Sequence, residues 1–175
     1  FTGVSRSLTH ELVRHRAGFA FSQRSQRYVD ESDSKFVIPP ALQNSSDGFD
    51  HANAILTGAL EKASESYNEL VDALGEALPR EKFDSERDHR KAIRQAARSV
   101  LPNATETKIF VTANVRAWRH FLEMRSTSFA DTEIRNLAIT VLEILQKEAP
   151  LLFGDFTFDT MSDGSRIASP KYSKV

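Results

Sequence analysis

Between Arg14 and Tyr28 the chain places four arginines, one histidine, two serines and two glutamines, with no acid among them. Arginine presents a rigid, planar fork of N–H donors that matches phosphate and carboxylate oxygens. Such forks beside hydroxyl and amide donors suit a phosphorylated ligand. A second stretch, Asn114 to Arg125, carries Arg116, Arg119, His120 and Arg125. On a helix, Arg116, Arg119 and His120 fall three or four residues apart and share a face. A helix starting at Asn114 would add free N–H groups and partial positive charge at its N-terminus. Arg98 makes a third patch, just before Pro102. Three cationic patches separated in sequence point to a ligand with more than one anionic group, such as a mononucleotide or a dinucleotide cofactor.

Simpler readings compete with this. A run of charge is usually a solvated face, but here the arginines are interleaved with Phe19, Phe21 and Tyr28, and lysine is not used. Trp118, Phe121, Leu122 and Met124 would form the buried side of the second helix, so Trp118 reads as core before it reads as a cofactor stack. Glu11 between His10 and His15 resembles a zinc-protease helix but fails on spacing. Histidines five apart lie about 140° from each other around a helix, where that motif needs four. No metal site is expected. There is no Gly-x-Gly-x-x-Gly and no Gly-Lys-Ser/Thr loop, so a dinucleotide would be held without a Rossmann or P-loop cradle.

Bulk composition sets the outer limits. The 175 residues suffice for one domain with a core, and 40% hydrophobic with 27% charged residues is ordinary for a globular protein. A net charge of −1 gives no global field for nucleic acid, so anion binding rests on local clustering. The sequence has no cysteine, which excludes disulfides, thiolate metal sites and cysteine nucleophiles and suits a reducing cytoplasm. No apolar run reaches the roughly 20 residues of a membrane helix. The chain begins at Phe1 rather than Met, and residues are expected upstream.

Several elements must position these groups. Leu8, Leu12 and Val13 share a face of a helix expected over 7–16, with Ser7 or Thr9 as cap. Residues 18–28 read as a loop leading towards a short strand, and 35–40 as a strand stopped by two prolines. A long amphipathic helix is expected over 47–78, with Ala54, Ile55, Leu60, Ala63, Tyr67, Leu70, Val71, Leu74 and Leu78 at helical spacing. Residues 80–90 read as a solvated connection, and 91–101 as a helix. A β-branched strand over 105–113 precedes the helix of Asn114 to Arg125. Another amphipathic helix spans 131–147, and the tail reads as a short strand around Phe156 and Phe158 with a loose end. The fold class is α/β or α+β, mixed and rich in helix.

Arg14-His15-Arg16, followed after a spacer by Ser25-Gln26-Arg27-Tyr28, resembles the signature of the flavin-dependent thymidylate synthases. The likeness continues through Ala97-Arg98-Ser-Val-Leu-Pro102, Asn103-Ala-Thr-Glu-Thr and Thr112-Ala-Asn114-Val-Arg116-Ala-Trp-Arg-His120-Phe-Leu-Glu-Met-Arg125, and it is strongest to actinobacterial members. It covers essentially the whole chain. The resemblance implies a mainly antiparallel sheet with several long helices and a homotetramer whose active sites draw on several subunits. It implies reductive methylation of deoxyuridylate (dUMP) to thymidylate (dTMP). Methylenetetrahydrofolate would give the carbon, and FAD reduced by NADPH would supply the hydride. The missing cysteine agrees, because the unrelated folate-only enzymes attack uracil with a thiolate. The resemblance implies neither a nucleic-acid nor a membrane partner.

By the same resemblance, Arg14, His15, Arg16, Gln23, Asn114, Arg116 and His120 are FAD contacts. Glu11, Arg14, Gln23, Ser25, Arg27, Arg98 and Arg125 are dUMP contacts, with Arg125 the catalytic arginine that activates the substrate. Glu11 stands where many relatives have a glutamine. Two departures stand out. Eight residues, 17–24, separate Arg16 from Ser25 where the family usually has seven. Members also carry a further N-terminal portion, so 1–175 reads as a single domain lacking it. The alternatives are a catalytically impaired flavin- or nucleotide-binding homologue and a single-stranded nucleic-acid-binding module.

Overall fold

The structure is a computed structural model describing residues 1–43 and 48–173. It divides into two units. The first comprises Phe1–Ser7 and Gln23–Ile109, the second Leu8–Ser22 and Phe110–Val175.

In the first unit, strand β1 (Val4–Ser5) pairs antiparallel with β3 (Glu106–Thr107), and Phe36 adds a single bridge to Thr105. That bridge is all that forms of the strand expected over 35–40. Pro39 lacks a ladder donor, and Pro40 instead starts a short helix, α2 (Pro40–Gln43). The long helix α3 (Asp50–Ala77) follows the expected stripe, but only Leu60 and Tyr67 are buried. Asp47, the expected start, lies outside the described residues. Helix α4 (Glu86–Ala97) starts five residues earlier than expected. The Asp88 N–H donates to Ser85 Oγ at 3.1 Å, a cap hidden among charged residues that read as a connection. The α3 and α4 helices pack together, and Ile93 and Ala97 are buried.

The second unit holds most of α1 (Arg6–Leu12), most of β2 (Phe19–Gln23) and of β4 (Ile109–Ala113), α5 (Val115–Arg125), α6 (Thr132–Glu148), α7 (Pro150–Phe153) and the hairpin β5 (Phe156–Thr160) with β6 (Arg166–Pro170). The expected helix over 7–16 ends at Leu12. Leu8, Thr9 and Leu12 are buried, Val13 is exposed, and nothing apolar follows to bury. Strand β2 occupies what read as a loop. Phe19 and Phe21 stack 5.5 Å apart on one side of it, as residues two apart on a strand must. It pairs with β4. The strand expected over 105–113 is two strands, broken at Lys108. Against expectation the described part of the tail, 155–173, is no loose end. Gly164, at φ 81°, turns it into an antiparallel hairpin whose Ala168 N–H donates to the Ser126 carbonyl at 2.9 Å. Phe121, Leu122, Ile134, Ala138, Leu142, Phe153 and Phe156 form the core behind α5. The mixed helix-and-sheet class is as the sequence predicts.

Candidate active site

Helix α5 is built to display cations. Asn114 is its cap, its side-chain oxygen accepting from the Ala117 N–H at 2.9 Å. Phe121 and Leu122 anchor the inner face, which leaves Arg116 and His120 exposed. Met124, expected inside, is 43% exposed. Trp118 is half-buried and meets Phe19 and Phe121 edge-on, at 5.2 and 5.8 Å. Arg119, read from spacing as a companion of Arg116 and His120, is committed elsewhere. Its Nη1 and Nη2 donate to the two Asp155 carboxylate oxygens at 2.6 and 2.8 Å.

The Arg14–Ala17 turn lies against α5 through Gly18. This glycine has φ 76°, and a Cβ there would stand 2.6 Å from Asn114 Nδ2. The glycine is required twice over, for its conformation and for the close approach. Its carbonyl accepts from the Asn114 N–H at 3.2 Å. Two clefts open beside this junction. One, of about 750 Å³, is lined by Arg14, His15, Arg16, Phe19, Met124 and Arg125 among others. The other, of about 720 Å³, includes Gly18, Asn114, Arg116 and Glu123, and Ala17 and His120 line both. Arg14, Arg16 and Arg116 carry no ion pair among the described residues.

Arg125, the last residue of α5, is held from two sides. Its Nη1 donates to Glu11 Oε2 at 2.7 Å, and its Nε donates to His15 Nε2 at 2.9 Å. Burial pushes His15 down to about 4, and the neighbouring Arg125 and His120 add to the shift. His15 is therefore neutral near pH 7. Its Nε2 accepts from Arg125, so its proton sits on Nδ1. Sequence spacing could not show this link, because Glu11 and Arg125 are 114 residues apart.

The second unit thus gathers Glu11, Arg14, His15, Arg16, Asn114, Arg116, His120 and Arg125. The other predicted residues belong to the first unit. Gln23 Nε2 donates to Thr107 Oγ1 at 3.4 Å. Ser25 Oγ accepts from the Arg27 N–H at 3.4 Å, and the Arg27 guanidinium lies 5.5 Å from the Tyr28 ring centre. Arg98 caps α4 and stands near enough to Arg6 to help lower its guanidinium, behind the larger effect of burial.

A protein family described as thymidylate synthase complementing protein matches residues 1–151. The chain belongs to this family. It is 50% identical over 171 residues to the flavin-dependent thymidylate synthase of Mycobacterium tuberculosis strain H37Rv, covering 96% of this chain and 64% of that protein. It is 48% identical over 170 residues to the enzyme of the same name from Corynebacterium diphtheriae, covering 97% and 65%. With the Mycobacterium avium enzyme of that name the identity is 49% over 171 residues. The chain spans just under two thirds of the length of these curated relatives. The actinobacterial likeness read from the sequence is borne out.

Proposed function

We propose that this protein reductively methylates dUMP to dTMP. Reduced FAD, when bound, supplies the hydride, NADPH reduces it, and methylenetetrahydrofolate gives the carbon. The observation that carries the reading is the fixed Arg125 guanidinium lining the same cleft as Arg14 and Arg16. Family membership supports it.

A flavin cofactor fits the residues present. The guanidinia of Arg14, Arg16 and Arg116, which make no ion pair among the described residues, line the two clefts and suit a diphosphate. In this reading Arg14, His15, Arg16, Asn114, Arg116 and His120 hold FAD. Gln23 contacts both FAD and dUMP, and Arg14 also reaches the nucleotide. Ser25, Arg27 and Arg98 bind dUMP, the hydroxyl and the guanidinia suiting its phosphate. Arg125 faces the uracil, where a preorganised cation stabilises negative charge building on the ring. No protein nucleophile is needed, in keeping with a chain that has no cysteine. The proposal includes a cytoplasmic homotetramer with residues 1–175 acting as one domain, each FAD site drawing on several subunits. Among the described residues, no helix is long and apolar enough to cross a membrane.

The purified protein should be yellow. Its absorbance should bleach with NADPH and return when dUMP and methylenetetrahydrofolate are added. A colourless protein that takes up no added FAD would overturn the proposal.

A further inference from the structure

Glu11 poses a problem for a nucleotide site. A carboxylate facing a phosphate repels it, yet Glu11 lies within reach of the cationic cleft. We infer that Glu11 is a positioning residue that acts through Arg125, and that its carboxylate binds the guanidinium rather than the substrate. The inference rests on the functional reading above.

The geometry supports this division of labour. An arginine at a helix end has several rotatable bonds and would sample many directions if held at one point. Arg125 is held at two, Nη1 by Glu11 at 2.7 Å and Nε by neutral His15 at 2.9 Å. Two contacts, one through Nε and one through Nη1 on different sides of the planar guanidinium, fix the whole plane. Nη2 makes no hydrogen bond among the described residues, so its donors remain for an oxygen of the ligand. The two holders are not interchangeable. Glu11 carries the charge that balances Arg125, while His15 is uncharged and supplies a lone pair without a second anion. Arg125 and Glu11 are only 20% and 29% exposed at their side chains, so the pair is screened less than a surface pair. A glutamine at position 11 would keep an acceptor oxygen for Nη1.

The test compares E11Q and E11A with the wild type, all as holoprotein. In dTMP formation, E11A should lose about 100-fold in kcat, the scale of a misplaced catalytic group. Its KM for dUMP should change little, and E11Q should keep most of the rate. Raised KM with unchanged kcat in E11A would make Glu11 a direct substrate ligand and overturn the inference. A second readout needs no turnover. The Arg125 Nε–H resonance, assigned with R125K, should be distinct and slow to exchange in the wild type and E11Q. In E11A it should join the fast-exchanging arginines, and an unchanged resonance there would overturn the inference. A wild type that makes no dTMP would instead refute the functional reading, and the resonance would still decide the role of Glu11.

Discussion

Lowering the pH through the range where His15 resists protonation tests the electrostatics of the site without any ligand. A histidine normally titrates near 6.5, and burial, Arg125 and His120 hold His15 down at about 4. Between these values the unfolded chain binds a proton at this residue that the folded chain refuses. Stability therefore rises with pH from about 4 to about 6.5 and is lost as pH falls through that window. At roughly 1.4 kcal/mol per unit the shift sets a ceiling of about 3.5 kcal/mol. His15 is only half-buried, so solvent screening brings the expected loss to about 1–2 kcal/mol. The reference is H15Q, whose amide oxygen offers Arg125 an acceptor but does not titrate in this range. Urea unfolding of both proteins from pH 7.5 to 3.5 should show the wild type losing ground to H15Q below about pH 6.5. The same titration followed by histidine NMR should place His15 near 4. Parallel stability curves, with His15 titrating near 6.5, would refute the reasoning.

Two further perturbations address the frame of the site. N114A removes the cap of α5 and should lower stability by about 1 kcal/mol, read as a fall in the urea midpoint. FAD affinity should fall with it, because the same side chain lines the second cleft. G18A places a Cβ 2.6 Å from Asn114 Nδ2 on a backbone at φ 76°, and should weaken flavin retention on gel filtration more than it lowers Tm. Retention equal to wild type in G18A would separate this junction from cofactor binding.

Residue type and local spacing made much of this legible. Asn114 could be named as a cap because a small polar residue preceded an amphipathic run, and the structure gives it that role. Helix α6 was readable within a residue at each end from its apolar stripe. Strand β2 was not, because its Phe-Ala-Phe-Ser-Gln alternation is brief and lies inside a polar, arginine-rich segment. The start of α4 was masked by charge, since the Ser85 cap and its first turn are all hydrophilic. The β5–β6 hairpin was missed because its second strand, Arg166–Pro170, has little β-branched content and ends in proline. At the site, single-residue chemistry was visible and pairing was not. Arg119 looked like part of the cationic face until Asp155 claimed it, and nothing in the sequence linked Glu11 to Arg125. Both pairs join residues far apart in the chain, where no local pattern carries a signal.

The central claim is that this protein methylates dUMP with a flavin and that Arg125 acts on the nucleotide. It is tested most directly by dTMP formation in wild type and R125A, each supplied with FAD, NADPH, methylenetetrahydrofolate and dUMP. The wild type should form dTMP, and R125A should form almost none while keeping its flavin absorbance. No dTMP from the wild type, or undiminished turnover in R125A, would contradict the account.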